Sequence, residues 1–169
     1  MTNRCFLVGM PYAGKSYWGK QLSVHYGVDF YDLDVFITQY TGKSITEIFD
    51  SVGEQGFREI EHHCLQELIS TTKSNSIIAC GGGTPCFHNN MILMKNAGTV
   101  ICLEADIPYL EANYRKDTTP RPLLAEPHLL TGKLTAMQQE RAVYYTQAHY
   151  ILQVADISIT TFDKILNNV

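Results

Sequence analysis

The sequence predicts an α/β fold, a three-layer α/β/α domain in which helices cover both faces of a five-stranded parallel sheet. Five short apolar segments alternate with segments of helical periodicity, which is typical of repeated strand–helix–strand crossovers. A glycine-rich loop directly follows the first strand and precedes a helix. Because no linker or internal repeat interrupts this alternation, residues 1–169 are predicted to form one domain.

The predicted elements follow from apolar spacing and from residues that begin or end helices. Strands are predicted over residues 5–8, 28–33, 76–80, 99–103 and 155–160, and helices over residues 17–26, 35–40, 89–95, 107–114, 134–148 and 162–168. Two more helices lie between the second and third strands. Ser44-x-x-Glu47 is a capping box that begins the first, and Gly53 begins the second.

Residues 116–127 differ in character from the rest of the chain. They include Pro120, Pro122 and Pro127, and three prolines in so short a span disfavour regular structure. We therefore expect a mobile surface loop, a lid of about residues 115–127.

Composition limits the partners of this protein. A hydrophobic content of 45% and a charged content of 18% fit a soluble globular protein. The net charge of −4 gives no support for nucleic acid as a partner, and no apolar run approaches the ~20 residues that span a bilayer. A strand that begins at residue 5 leaves no room for a secretory signal, and five cysteines without a C-x-x-C pair are typical of free thiols in a reducing compartment. We expect a cytoplasmic protein that binds neither nucleic acid nor membrane.

Residues 9–16, GMPYAGKS, have the G-x-x-x-x-G-K-S spacing of a phosphate-binding loop. Backbone N–H groups in such a loop face phosphate oxygens, and the N-terminus of the following helix adds partial positive charge. Lys15 is expected to reach the β- and γ-phosphates of a nucleotide, and the Ser16 hydroxyl to coordinate Mg²⁺. The alternative is a plain strand–turn–helix joint with a solvated lysine, but the strand and helix on either side favour phosphate binding.

Two further segments follow predicted strands. Asp32 and Asp34 end the second strand, and Gly81, Gly82 and Gly83 follow the third. Because parallel strands present their carboxyl ends at one edge, we expect both segments to meet the phosphate loop. Two residues apart on extended chain, Asp32 and Asp34 face the same way, so one can support Mg²⁺ and the other a substrate hydroxyl. The alternative for the aspartates is a pair of carboxylates on a turn. Three glycines are more than a turn needs, and they let a ligand approach the backbone closely.

Three arginines are candidates for binding anions. Arg58 and Glu61 share a helix face, either as a surface ion pair or as an arginine held by a carboxylate for an anionic group. Arg121, between two prolines, suits a lid over transferring phosphate, and a solvated loop arginine is its alternative. Arg141 lies on a helix and is equally open to a surface position. His62 and His63 cannot share a helix face and have no metal-ligand spacing.

Together these motifs resemble the shikimate kinase family, whose fold is the P-loop NTPase, nucleoside-monophosphate-kinase-like fold. The resemblance covers nearly the whole chain. Its motifs are the phosphate loop at 9–16, D-x-D at 32–34, G-E-x-x-F-R-x-x-E at 53–61, the glycine triplet at 81–83, R-P-L-L at 121–124 and E-R-x-x-Y at 140–144. Many members have glycine and serine where this chain has Tyr12 and Ala13. The resemblance implies transfer of phosphate from ATP, with Mg²⁺, to the 3-hydroxyl of shikimate in aromatic amino-acid biosynthesis.

The resemblance also implies residue roles. It gives catalytic roles to Asp34, Lys15 and Arg121. It assigns ATP binding to Pro11, Tyr12, Ala13, Gly14, Lys15, Ser16, Tyr17, Arg115 and Arg121, acceptor binding to Asp34, Arg58, Glu61, Gly81, Gly82, Gly83 and Arg141, and the metal to Ser16 and Asp32. We expect a monomer that acts on a small molecule. The alternatives are a related small-molecule kinase, such as gluconate kinase, and a catalytically silent nucleotide-binding domain.

Overall fold

The structure is a computed structural model that describes residues 3–116, 122–124 and 126–166. Five parallel strands form one sheet in the order β2-β3-β1-β4-β5. The strands are β1 (Cys5–Gly9), β2 (Phe30–Asp32), β3 (Ile77–Ala79), β4 (Thr99–Glu104) and β5 (Tyr150–Gln153). Helices cover both faces of the sheet, so the predicted three-layer α/β/α fold is confirmed. The centre of the sheet is apolar because every residue of β1 is buried.

Seven helices connect or follow these strands in the described part of the chain. They are α1 (Lys15–Tyr26), α2 (Leu33–Thr41), α3 (Ile45–Thr71), α4 (Asn90–Ala97), α5 (Ile107–Tyr114), α6 (Leu130–Tyr145) and α7 (Ile159–Leu166). Short 3₁₀ turns lie at Thr84–Cys86, Pro122–Leu124 and Pro127–Leu129. No helix among the described residues is long and apolar enough to cross a membrane.

The two helices predicted between β2 and β3 form one helical span with a bend. The capping box is present: the Glu47 N–H donates to Ser44 Oγ at 3.3 Å, and the Ser44 N–H donates to Glu47 Oε2 at 2.7 Å. Gly53 has φ 68° and ψ −174°, which are not helical angles, so α3 changes direction there. The bend separates the capped first segment from the segment that carries Arg58.

The predicted last strand is wrong. Strand β5 precedes residues 155–160 and pairs with β4, with Tyr150 opposite Ile101. Residues 155–160 form a turn and the start of α7, since the Asp156 N–H donates to the Gln153 carbonyl at 3.0 Å. Alternating apolar and polar residues there imitate a strand, whereas the true strand lies at the sheet edge and is largely exposed.

A buried arginine that sequence patterns did not single out joins α3 to the sheet. Arg4 is 6% exposed, and its Nη2 donates to the carbonyls of Ile69 at 3.0 Å and Thr72 at 2.9 Å. Ile69 lies in the last turn of α3 and Thr72 directly follows the helix, where backbone acceptors have no partner within the helix. Arg4 thus caps this helix from the residue that precedes β1.

Candidate active site

A cavity of about 450 Å³ lies at the carboxyl ends of β1, β2 and β3. Its lining includes residues from the phosphate loop, both aspartates and the glycine triplet, so the three segments predicted to converge do so. The lining residues are Tyr12, Gly14, Lys15, Ser16, Tyr17, Asp32, Asp34, Cys80, Gly81, Gly82, Tyr109 and Asn113.

Two glycines shape the phosphate loop. Gly9 has φ 134°, and a Cβ there would lie 2.4 Å from the Leu103 carbonyl oxygen. Gly14, with φ 87°, is the residue before α1. Lys15 folds over the loop and is only 9% exposed; its Nζ donates to the carbonyls of Gly9 at 3.0 Å and Met10 at 2.8 Å. The ammonium therefore lies where the loop and the N-terminus of α1 meet.

Tyr12 adopts a left-handed conformation, with φ 68°, in this loop. Such angles are uncommon for a non-glycine residue. Helix α5 supports it: the Tyr12 ring packs edge-on against Tyr114 at 5.5 Å between ring centroids, and Asn113 Nδ2 donates to the Tyr12 carbonyl at 3.0 Å. Pro11 and Ala13, also predicted to bind ATP, do not line this cavity; Ala13 is buried and Pro11 lines the neighbouring pocket described below.

Ser16 and Asp32 form the oxygen pair predicted to bind metal. Ser16 Oγ donates to Asp32 Oδ2 at 2.5 Å, while Asp32 Oδ1 accepts the Asp34 N–H at 3.1 Å and the Val35 N–H at 3.4 Å. Asp32 therefore caps α2, and Asp34 lies in its first turn. The expectation that both aspartates face one way on extended chain is wrong, because β2 ends at Asp32. The helical turn nevertheless leaves both side chains on the cavity.

A second, smaller pocket adjoins the cavity, and Asp34, Gly81 and Gly82 line both. Its other walls are apolar residues, two arginines and a glutamate. They are Pro11, Phe49, Phe57, Arg58, Glu61, Gly83, Leu123, Leu124, Met137 and Arg141. Asp34 thus lies at the junction between a phosphate-loop cavity and a pocket that contains two guanidinium groups.

Arg58 is buried in the wall of the smaller pocket, so the surface-ion-pair alternative is wrong. It is 4% exposed; Nη1 donates to Glu61 Oε2 at 2.8 Å and Nη2 donates to Glu54 Oε1 at 3.0 Å. Burial disfavours its charge, but Glu61 and Glu54 outweigh this and raise the pKa of Arg58 above its ordinary value. Its Nε–H has no hydrogen-bond partner among the described residues.

The glycine triplet at 81–83 makes room for the side chains of the site. A Cβ on the first glycine would lie 2.9 Å from Glu61 Oε1, one on the second 3.0 Å from Arg141 Nη1, and one on the third 2.4 Å from Arg58 Nη2. None of the three has a positive φ in the left-handed region. Each glycine is therefore required for close approach rather than for backbone angles.

Arg141 on α6 is only 9% exposed and lines the smaller pocket, so its surface alternative is wrong too. Tyr145, one turn later, donates its hydroxyl to the Gly82 carbonyl at 2.6 Å. Burial raises the pKa of Tyr145 above its ordinary value, which keeps the hydroxyl protonated as a donor. Sequence patterns did not indicate Tyr145 as a site residue, although its i, i+4 spacing from Arg141 places the two on one helix face.

Other predicted residues lie apart from these pockets or outside the description. Arg115 is exposed at the end of α5 and lines neither pocket, while Tyr17, 61% exposed, lies on the rim of the larger cavity. Arg121 lies outside the described residues, as does most of the predicted lid. Tyr109 and Asn113 line the larger cavity but carried no motif; their i, i+4 spacing on α5 was the available signal.

Comparisons with known proteins show which family this chain is similar to. The family model described as shikimate kinase matches residues 11–169. A shikimate kinase from Azobacteroides pseudotrichonymphae genomovar. CFP2 is 36% identical over 167 residues, which cover 98% of this chain and 96% of the relative.

Two solved structures are similar over nearly all of both chains. The crystal structure of shikimate kinase from Bacteroides thetaiotaomicron has a TM-score of 0.90 at 32% identity and covers 98% of each chain. Shikimate kinase from Acinetobacter baumannii, in complex with shikimate, has a TM-score of 0.89 at 30% identity and covers 99% of this chain and 95% of that one. This chain, with its phosphate loop, Asp34 and two buried arginines, therefore belongs to the shikimate kinase family.

Proposed function

We propose that this protein transfers the γ-phosphoryl group of ATP to the 3-hydroxyl of shikimate, giving shikimate 3-phosphate and ADP in aromatic amino-acid biosynthesis. One observation carries the proposal: Asp34 lines both the phosphate-loop cavity and a pocket with two buried arginines. A carboxylated alcohol in the smaller pocket could therefore present its hydroxyl to a phosphate in the larger one.

The smaller pocket suits a carboxylate. Arg58 and Arg141 supply two positive charges at its wall, and the Arg58 Nε–H is a buried donor without a partner among the described residues. Guanidinium groups bind carboxylates through paired, charge-assisted hydrogen bonds. Glu61 orients Arg58, and the glycine triplet at 81–83 offers backbone to the ring of the acceptor.

Asp34 has the role of accepting a hydrogen bond from the hydroxyl that is phosphorylated. A carboxylate in this position orients the attacking oxygen and can receive its proton as the new P–O bond forms. The leaving group is ADP, whose terminal oxygen keeps the electron pair of the broken bond. Positioning and charge stabilisation therefore account for most of the catalysis.

Residues 11–17 would bind the phosphates of ATP, and Lys15 would contact the phosphate that is transferred. Arg121 would act from the lid over that phosphate, and Arg115 would pack on adenine. Ser16 and Asp32 offer two hard oxygen ligands 2.5 Å apart beside this cavity, a donor set that fits Mg²⁺. When bound, Mg²⁺ neutralises charge on the β- and γ-phosphate oxygens.

We also propose that residues 1–169 act as one domain and as a cytoplasmic monomer without nucleic acid or membrane partners. Residues 115–127 would form a lid that closes on bound substrate. Closure excludes water, which would otherwise compete with shikimate for the phosphoryl group.

A coupled ADP-release assay tests the proposed reaction. Purified protein with ATP and Mg²⁺ is given shikimate, gluconate or no acceptor, and the product is identified by ³¹P NMR. We expect rapid ADP release with shikimate alone and one new phosphomonoester signal. Turnover with gluconate instead would assign the related kinase activity. ATP binding without turnover on either acceptor would assign a silent nucleotide-binding domain.

A further inference from the structure

We infer that Thr84 and Asn90 are positioning residues for the carboxylate-binding Arg58 and that they act through Glu61. The inference rests on the proposed function, since Arg58 is assigned there to the acceptor. Thr84 directly follows the glycine triplet, Asn90 is the first residue of α4, and both have no exposed surface. Neither belongs to a motif that the sequence singled out.

Thr84 holds the second oxygen of the glutamate that orients Arg58. Glu61 is wholly buried, with Oε2 accepting from Arg58 Nη1 at 2.8 Å and Oε1 accepting from Thr84 Oγ1 at 2.6 Å. A buried carboxylate is stable only when its oxygens have hydrogen-bond partners. With both oxygens engaged, the plane of the carboxylate is set, and so is the direction of the guanidinium.

Asn90 holds Thr84 in turn. Asn90 Nδ2 donates to the Thr84 carbonyl at 2.9 Å, and Asn90 Oδ1 lies 2.6 Å from His62 Nδ1. Because the amide nitrogen is the donor to Thr84, the amide oxygen is an acceptor, and His62 Nδ1 carries the proton. A continuous path of hydrogen bonds therefore leads from His62 on α3 through the loop and back to Arg58 on the same helix.

The loop between Thr84 and α4 carries backbone strain that this path offsets. His88 and Asn89 are consecutive residues with φ 50° and 57°, in the left-handed region that non-glycine residues rarely adopt. Before them, the Phe87 ring lies 4.6 Å from the guanidinium carbon of Arg58. After them, Asn90 is buried. One end of this segment therefore contacts Arg58 through Phe87, and the other end contacts Thr84 through Asn90.

Pre-organisation of Arg58 is the physical consequence. A guanidinium already held in its binding orientation loses little freedom when an acceptor carboxylate binds, so acceptor affinity is higher. Removing the Thr84 hydroxyl should weaken acceptor binding while leaving ATP binding and the chemical step nearly unchanged.

Thr84→Val tests this, since it keeps the side-chain shape and removes only the donor to Glu61. We expect the KM for shikimate to rise about tenfold, because the substitution removes a hydrogen bond to a charged group. The kcat and the KM for ATP should stay within about twofold of wild type. Thr84→Ser restores the hydroxyl and should restore the shikimate KM. An unchanged shikimate KM in Thr84→Val, or an equal rise in the KM for ATP, would overturn the inference.

Adjacent histidines provide a matched pair. His62→Leu removes the hydrogen-bond partner of Asn90. His63→Leu is the control, because His63 Nε2 lies 2.9 Å from the Tyr40 hydroxyl and has no part in the path to Arg58. We expect a shikimate KM about threefold higher in His62→Leu and unchanged in His63→Leu. Equal effects in both variants would contradict the path from His62 to Arg58.

An NMR measurement separates this inference from the proposed reaction. Arginine ¹⁵N spectra without any substrate report guanidinium rotation, and the Arg58 signals are assigned by their loss in Arg58→Lys. We expect distinct, slowly exchanging Arg58 Nη signals in wild type that merge in Thr84→Val. If they merge while shikimate is not phosphorylated, the positioning role stands and the reaction fails. If they do not merge, the positioning role fails whatever the acceptor.

Discussion

Asp34 is the residue on which the proposed chemistry depends, since it lines both pockets. Its position follows from local structure: Asp32 ends β2 and caps α2, so the chain turns and Asp34 falls in the first helical turn. A neutral amide at residue 34 has nearly the same shape as the carboxylate, but it accepts hydrogen bonds more weakly than the carboxylate does and takes up no proton.

We predict that Asp34→Asn lowers kcat at least a hundredfold, because general-base and orienting carboxylates contribute about 10²–10⁴ in rate. ATP binding should stay within a few-fold of wild type, followed through the fluorescence of Trp18, whose ring carbon lies 3.6 Å from the Cβ position of Gly14. Asp156→Asn, in the exposed turn after β5, is the control. A wild-type kcat in Asp34→Asn would remove this residue from its role.

Arg58 is expected to act by geometry as well as charge. Its fork reaches Glu61 and Glu54 at once, which a single ammonium cannot reproduce. We predict that Arg58→Lys raises the KM for shikimate tenfold or more and leaves the KM for ATP unchanged, as measured by initial rates. A lysine variant with the wild-type shikimate KM would show that charge alone is needed.

Among the elements, α3 shows how a single glycine directs a helix. Gly53 combines φ 68° with ψ −174°, a region that only glycine occupies at low cost, and its Cβ position meets no neighbouring atom. The bend therefore arises from backbone angles rather than from crowding. Gly132, in α6, also has open space at its Cβ position but lies in regular helix without a positive φ.

These two glycines should respond in opposite directions to the same substitution. Gly53→Ala is predicted to destabilise the fold by about 1–3 kcal/mol through strain. Gly132→Ala is predicted to stabilise it by about 0.5–1 kcal/mol, because alanine loses less backbone entropy on folding. Urea denaturation measures both. A Gly53→Ala variant as stable as wild type would mean that the bend tolerates a side chain.

At the scale of the whole molecule, burial in the core keeps cysteine thiols protonated. All five cysteines are free, and four of them are buried. Burial raises the pKa of Cys5 and of Cys102 to about 12. In the unfolded chain these thiols ionise near pH 8.5, so above that value the unfolded state binds fewer protons than the folded state, and stability falls as pH rises.

We predict that the free energy of unfolding decreases between pH 9 and pH 11 by about 1.4 kcal/mol per pH unit for each such thiol. Urea denaturation at several pH values measures this slope. Cys5→Ala should have a shallower slope whatever its absolute stability, because tyrosines and other groups contribute equally to both proteins. Identical slopes would show that Cys5 does not retain its proton in the folded state.

Features set by neighbouring residues were predictable from the sequence. Helix α5 has its predicted bounds, Ile107–Tyr114, and the capping box at Ser44 is present. The helix after the phosphate loop also begins within two residues of its predicted start. The edge strand β5, Tyr150–Gln153, was missed although three of its four residues are apolar, because the alternation of apolar and polar residues over 155–160 imitates a strand more closely.

By itself, the sequence determined the α/β class, the phosphate loop and the segments that meet at the sheet edge, since glycines, caps and periodicity act over a few residues. Only the tertiary structure decided that Arg58 and Arg141 are buried, that Tyr145 contacts Gly82 and that Asp34 lies between two pockets. Burial depends on residues far apart in the chain, brought together by the strand order β2-β3-β1-β4-β5. Local patterns therefore located the site, and packing selected the side chains that form it.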